Sequence, residues 1–173
     1  MLKSIKSKKS QAWSIDLIVA ITIFISGIII FYIYILNFSN EGEEAINDLF
    51  YDGNIITSIL LSEGSPSDWN QLNVLSPGLT SNDKINETKL EKLYNFANSD
   101  YKKLKSALNT KFDFYIYFTE KISINGTLVD GIGKTGVDRE NIIQVEAPRN
   151  IVKITRITAY KNKPTEMNLY IWD

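Results

Sequence analysis

The sequence contains no cysteine and no histidine. The missing cysteine removes disulfides and thiolate nucleophiles, and the two absences together remove Cys/His zinc sites and imidazole acid–base chemistry. A chain without cysteine is compatible with either side of a membrane, so redox compartment stays open. Serine and threonine are numerous, yet without histidine their usual activation as nucleophiles is missing. The expectation is a protein that is not an enzyme, with no catalytic residue, no cofactor and no metal site. A large excess of one charge is also missing: the net charge is −1. A nucleic-acid partner is therefore not expected, since such binders carry a basic face. What is present is 173 residues, 44% of them hydrophobic, enough for one ordinary domain plus an appendage and too apolar for a wholly disordered chain.

The charge is unevenly spread. Residues 1–10 hold Lys3, Lys6, Lys8 and Lys9 and no acid, so that end is +4. Residues 17–36 (LIVAITIFISGIIIFYIYIL) hold no charge, and residues 37–173 sum to −4. As a helix, the 20 uncharged residues span about 30 Å, the thickness of a bilayer's hydrocarbon core. Thr22, Ser26 and Gly27 interrupt the run, and a helix that satisfies its own backbone tolerates them in lipid. Trp13, Tyr32 and Tyr34 stand near the two ends, where amphipathic rings favour the interface. A secretory signal would have a shorter apolar region followed by a small-x-small site, and LNFSNEGEE offers none. The expectation is a single-pass transmembrane helix over residues 12–36. The Lys-rich end would be cytoplasmic and residues 37–173 extracellular, by the positive-inside rule. Lipid is the first expected partner.

Around Gln11 the residues carry a resemblance. Lys8-Lys9-Ser10-Gln11, then Ala12-Trp13-Ser14-Ile15-Asp16-Leu17 and a long apolar helix, resemble the N-terminus of archaeal type IV pilin-like proteins. The resemblance implies a basic leader (residues 1–11) cut by a prepilin peptidase within Lys8, Lys9, Ser10, Gln11 and Ala12. The apolar helix would then become part of a filament core, with homo-oligomer or other pilin subunits as partners. It also implies a role for Asp16, since a carboxylate at the edge of hydrocarbon costs several kcal/mol unless partnered. In the family that partner is the amine freed by cleavage. Asp16 is sixth if Gln11 is the first mature residue and fifth if Ala12 is, and it stands where the family usually has Glu. The other reading of Asp16 is a plain helix-start acid favoured by the macrodipole. Without the resemblance, the same anchor fits a permanently inserted protein with an external binding domain.

Downstream, Ile46, Leu49, Phe50, Ile56, Ile59 and Leu60 recur at helical spacing and predict an amphipathic stalk helix over 37–65, with Gly42 and Gly53 as points of bending or breaking. Residues 66–173 read as an α+β head, so the whole chain is α+β: a long N-terminal helix, a small helical segment and an antiparallel sheet. Residues 73–85 read as loop. Asn86 is placed to cap a helix presenting Leu90, Leu93, Phe96 and Ala97, and Ser99 to cap the next, with Tyr101, Leu104 and Leu108 aligned. Phe112, Phe114, Ile116 and Phe118 alternate as a strand, and Ile142–Glu146, Ile151–Tyr160 and Asn168–Trp172 read as further strands, the last two joined by KNKPTE.

Three Asn-x-Ser/Thr sequons make Asn37, Asn86 and Asn125 candidate glycosylation positions, in keeping with an external location. Gly131-Ile132-Gly133-Lys134-Thr135 ends like a phosphate-binding loop, but the motif needs glycine at 128, which is leucine. A glycine-rich turn between strands is expected there. Asp130, Asp138, Glu140 and Glu146 lack cation-loop spacing and read as a solvated acidic face.

Overall fold

The computed structural model describes residues 7–124 and 126–173, and for 7–14 and 37–41 the backbone alone. The chain is α+β: an N-terminal apolar helix is followed by short helices and an antiparallel sheet. In order the elements are α1 (Ser7–Leu60), β1 (Thr80–Ser81), β2 (Lys84–Ile85), α2 (Glu87–Ser99), α3 (Tyr101–Ala107), β3 (Asp113–Ile124), β4 (Thr127–Gly133), α4 (Ile142–Glu146), β5 (Ile151–Tyr160) and β6 (Lys163–Trp172). They divide into two compact units, Met1–Glu44 and Ala45–Asp173, so α1 contributes to both.

The second unit has a complete core. Its sheet runs β4-β3-β6-β5, antiparallel throughout. Pairing sets Phe114 beside Ile171, Ile116 beside Leu169 and Phe118 beside Met167, and Ile154 beside Leu169. These side chains share the inner face and are buried with Leu49, Ile56 and Leu60 of α1, Leu90, Leu93 and Phe96 of α2, and Leu104 of α3. Only part of the expected stalk stripe is used: Ile46 and Phe50 are 48% and 55% exposed. The buried stripe is Leu49, Gly53, Ile56, Thr57 and Leu60. Gly53 does not break α1. A Cβ there would lie 2.5 Å from Ile154 Cδ1 and 3.2 Å from Ile171 Cγ2, so glycine is what lets the helix lie against β5 and β6. Arg156 of β5 adds a polar tie, donating to Asn54 Oδ1 at 2.7 Å and Thr57 Oγ1 at 3.3 Å.

α1 stops at Leu60, five residues before the expected end. Ser62 Oγ donates to the carbonyl of Ile59 at 2.6 Å, and Gly64 has φ +79°. Gly64 and Gly78 then meet back to back: a Cβ on Gly64 would stand 2.5 Å from the amide nitrogen of Gly78. Trp69 Nε1 donates to the Gly78 carbonyl at 2.7 Å and locks the loop. Within the stretch read as loop, β1 and β2 form a hairpin through Asn82 and Asp83, both at positive φ. The same two-residue turn, Lys161-Asn162, joins β5 to β6. Two left-handed residues are what a type I′ hairpin requires.

Helix α2 begins as expected, with Asn86 Oδ1 accepting from Lys89 N at 3.2 Å. The next cap is Asp100 rather than Ser99: its Oδ1 accepts from Lys103 N at 3.0 Å, whereas Ser99 closes α2 and donates to Phe96 O. Ile142–Glu146 is a short helix and not a strand. Asp138 Oδ1 accepts the amides of Glu140 and Asn141 while Asn141 Oδ1 accepts that of Asp138, which turns the chain into a helical start.

Candidate functional site

The feature with functional content in the first unit is the apolar part of α1. Ile15–Leu36 is 22 residues long with mean hydropathy 2.6 and none of it buried. Among the described residues it is the one helix long and apolar enough to cross a membrane. Every large apolar side chain in it is at least 46% exposed. Leaving so many in water costs on the order of 20 kcal/mol, more than the roughly 5–15 kcal/mol by which a domain is stable. Thr22 satisfies its hydroxyl within the helix: Oγ1 donates back to the carbonyl of Ile18 at 2.8 Å.

Asp16 is the second residue of this stretch and exposed. Upstream, Lys8, Lys9, Ser10, Gln11 and Ala12 belong to α1, but their side chains lie outside the described residues, as does that of Asn37. Asn125 lies outside them altogether. The remaining sequon residue, Asn86, is occupied at both ends of its amide: besides capping α2, its Nδ2 donates to Ser81 Oγ at 3.2 Å.

In the second unit the residues resembling a phosphate loop are put to another use. Gly131 and Gly133 lie in β4, facing Tyr117 and Tyr115, so the expected turn is a strand end. Lys134 Nζ donates to Asp113 Oδ2 at 2.8 Å and to Glu146, and Asp113 Oδ1 also accepts from Lys105 at 2.7 Å. Burial works against the charge on Asp113, but the hydrogen bonds from Lys105 and Lys134 outweigh it and hold the carboxyl below the ordinary range. Partial burial likewise opposes the charge on Lys134, and its bonds to Asp113 and Glu146 raise its pKa overall. This four-residue network joins α3, β3, the residue that follows β4, and α4. Of the other acids, Asp130 pairs with Lys121 at 2.8 Å and Asp138 serves the turn before α4. Glu146, tied to Lys134 and only 16% exposed, is not part of a solvated face, and no group of three or more metal-binding side chains occurs among the described residues. The hollows found are open; one of about 540 Å³ is lined by Asp52, Ser106, Asn109, Thr110 and Lys111, where Thr110 Oγ1 donates to Asp52 at 2.9 Å.

The sequence does not disclose this network, since its members are separated by 8 to 21 positions. Nor does it disclose the aromatic cluster on the outer sheet face: Tyr115, Tyr117 and Trp172 are buried there with Val137 and Ile142, and Tyr170 is partly buried beside them. No protein family, curated protein or solved structure matches the chain.

Proposed function

We propose that this chain is a membrane-anchored, pilin-like structural subunit. Its basic leader is clipped near Gln11 or Ala12, and its apolar helix resides first in the bilayer and then among the same helices of other copies. The observation that carries the reading is the wholly unburied 22-residue helix Ile15–Leu36. Its own fold provides no shelter for those side chains, so lipid or other subunits must. Asp16 supports the polymerising form of the reading. A carboxylate at the edge of hydrocarbon needs a partner, and the amine released by cleavage would stand four or five residues away in the sequence. The unit Ala45–Asp173, with its own core, would be the extracellular head and would form the outer surface of a filament, available for adhesion.

N-terminal sequencing and intact mass of the protein isolated from membranes test this. The expected mature start is Gln11 or Ala12, with the protein also present in sheared surface filaments. A start at Met1 and absence from filaments would leave an unprocessed single-pass anchor carrying an external binding domain.

A further inference from the structure

The two faces of the sheet are closed in unequal ways. The inner face is sealed by α1, α2 and α3 in one large cluster. The outer face is covered by a single strap, residues 134–150, between β4 and β5. Two apolar side chains of the strap, Val137 and Ile142, are buried against Tyr115, Tyr117 and Trp172. The rest of α4 gives little to that contact: Ile143 and Val145 are 72% and 56% exposed. Polar ties hold the two ends to the sheet, Lys134 to Asp113 Oδ2 at 2.8 Å and the Asn150 amide to Asp173 Oδ1 at 2.8 Å, and Lys134 also pairs with Glu146 inside the strap. In between, the Arg139 guanidinium lies 5.9 Å from the Tyr117 ring centre.

Closing the strap is also costly in two places. Trp172 Nε1 is the buried side-chain polar atom left without a hydrogen-bond partner among the described residues, and an unmade hydrogen bond in a core is a penalty that hydration would relieve. At the end of α4, Ala147 sits at φ 44°, ψ 50°, a left-handed conformation that disfavours any residue with a Cβ. The second buried tryptophan is the counter-case: Trp69 Nε1 is hydrogen-bonded to Gly78 O.

We infer that residues 134–150 are a hinged cover that opens as a unit while the sheet and inner core stay folded, uncovering Trp172 and the Tyr115–Tyr117 row. Weak apolar attachment and two built-in costs place this segment at the low end of the opening free energies within one domain. The cover is a conformational device of the domain and does not depend on how the apolar helix is housed.

Solvent exchange of the tryptophan indole protons, followed by NMR on the full-length chain in detergent micelles, tests the inference. The Trp172 indole proton is expected to exchange at least about 100-fold faster than that of Trp69, with the same protection as the α4 amides. Ala147→Gly removes the left-handed cost and slows Trp172 exchange about fivefold, leaving Trp69 unchanged. Ile142→Ala removes an anchor and speeds it roughly tenfold or more. Equal protection of the two indoles overturns the inference. So does a Trp172 rate that neither variant moves.

Discussion

Helix α1 contains two stretches rich in apolar residues with opposite fates. Ile15–Leu36 buries nothing, whereas from Leu49 to Leu60 one stripe is buried and the other faces carry Asp52, Asn54 and Ser58. They differ in mean hydropathy and in how the apolar residues are distributed around the helix. A striped helix finishes its burial against one surface, here the inner face of the sheet. A helix apolar on every side has no surface it can complete alone, and needs a medium or several neighbours. The second stretch is a part of a fold, and the first is a demand for a partner.

The largest effect that sharpens this contrast comes from removing residues 1–44. The remaining unit has its own core and is expected to be a folded, soluble monomer, whereas the whole chain needs detergent. The difference is on the order of 20 kcal/mol of apolar exposure. Size-exclusion chromatography with and without detergent reads it, and a full-length chain that stays monomeric in plain buffer would end the membrane and filament readings together. Next in size is a pair of matched substitutions. Ile56→Ala deletes a fully buried side chain and should lower the stability of the unit by about 2–5 kcal/mol. Ile30→Ala, in the unburied stretch, should leave its urea midpoint unchanged. Similar losses from both would mean that the apolar stretch is packed on the folded unit.

Much of this was legible in the sequence, for reasons that differ by element. The uncharged run announces itself by length. α2 was readable because a capping Asn86 precedes an apolar face at 90, 93, 96 and 97, two signals in agreement. β5 was readable because ten residues rich in β-branched types end at a turn. α4 was not: five apolar-rich residues fit a strand as well as a helix, and the Asp138–Asn141 turn decides. β4 was hidden by its glycines, which resemble a turn. The stripe on α1 was legible in part: Leu49, Ile56 and Leu60 are buried as expected and Ile46 and Phe50 are not, while Gly53, which counts as apolar surface only through what approaches it, has no side chain to register in the pattern. The Lys134 network had no local signal. The proposed processing near Gln11 would rest on recognition by a peptidase, which no folding rule encodes.

Two of the three glycines of α1 give a smaller and sign-reversing test of the same comparison. Alanine at Gly53 would drive a Cβ to 2.5 Å from Ile154, and overpacking of this kind costs about 1–3 kcal/mol. Alanine at Gly42 meets nothing within 4 Å and should be neutral or raise helix stability by up to about 1 kcal/mol. Thermal melts of the two variants, followed by circular dichroism, should move in opposite directions or leave Gly42→Ala unmoved. A melt lowered as much by Gly42→Ala would show that this turn of the helix is in close contact too.

The smallest effect concerns pH and belongs only to the folded unit. The Asp113 carboxyl is held below its ordinary range despite burial by hydrogen bonds from Lys105 and Lys134. Its contribution is therefore complete above the ordinary aspartate value near ~3.9 and is lost as pH falls through the lower folded value. Lys134, raised by Asp113 and Glu146 against its own desolvation, contributes fully below about pH 10.4 and loses that contribution as pH rises through its folded value. Between the two lies a plateau. Asp113→Asn should cost about 1–2 kcal/mol on that plateau and flatten part of the acid limb, because the variant has no carboxyl left to protonate. Urea unfolding of the whole chain in micelles at neutral pH and near pH 3 measures both. An acid limb equally steep in the variant would assign acid sensitivity to other carboxylates and leave the Asp113 network a bystander.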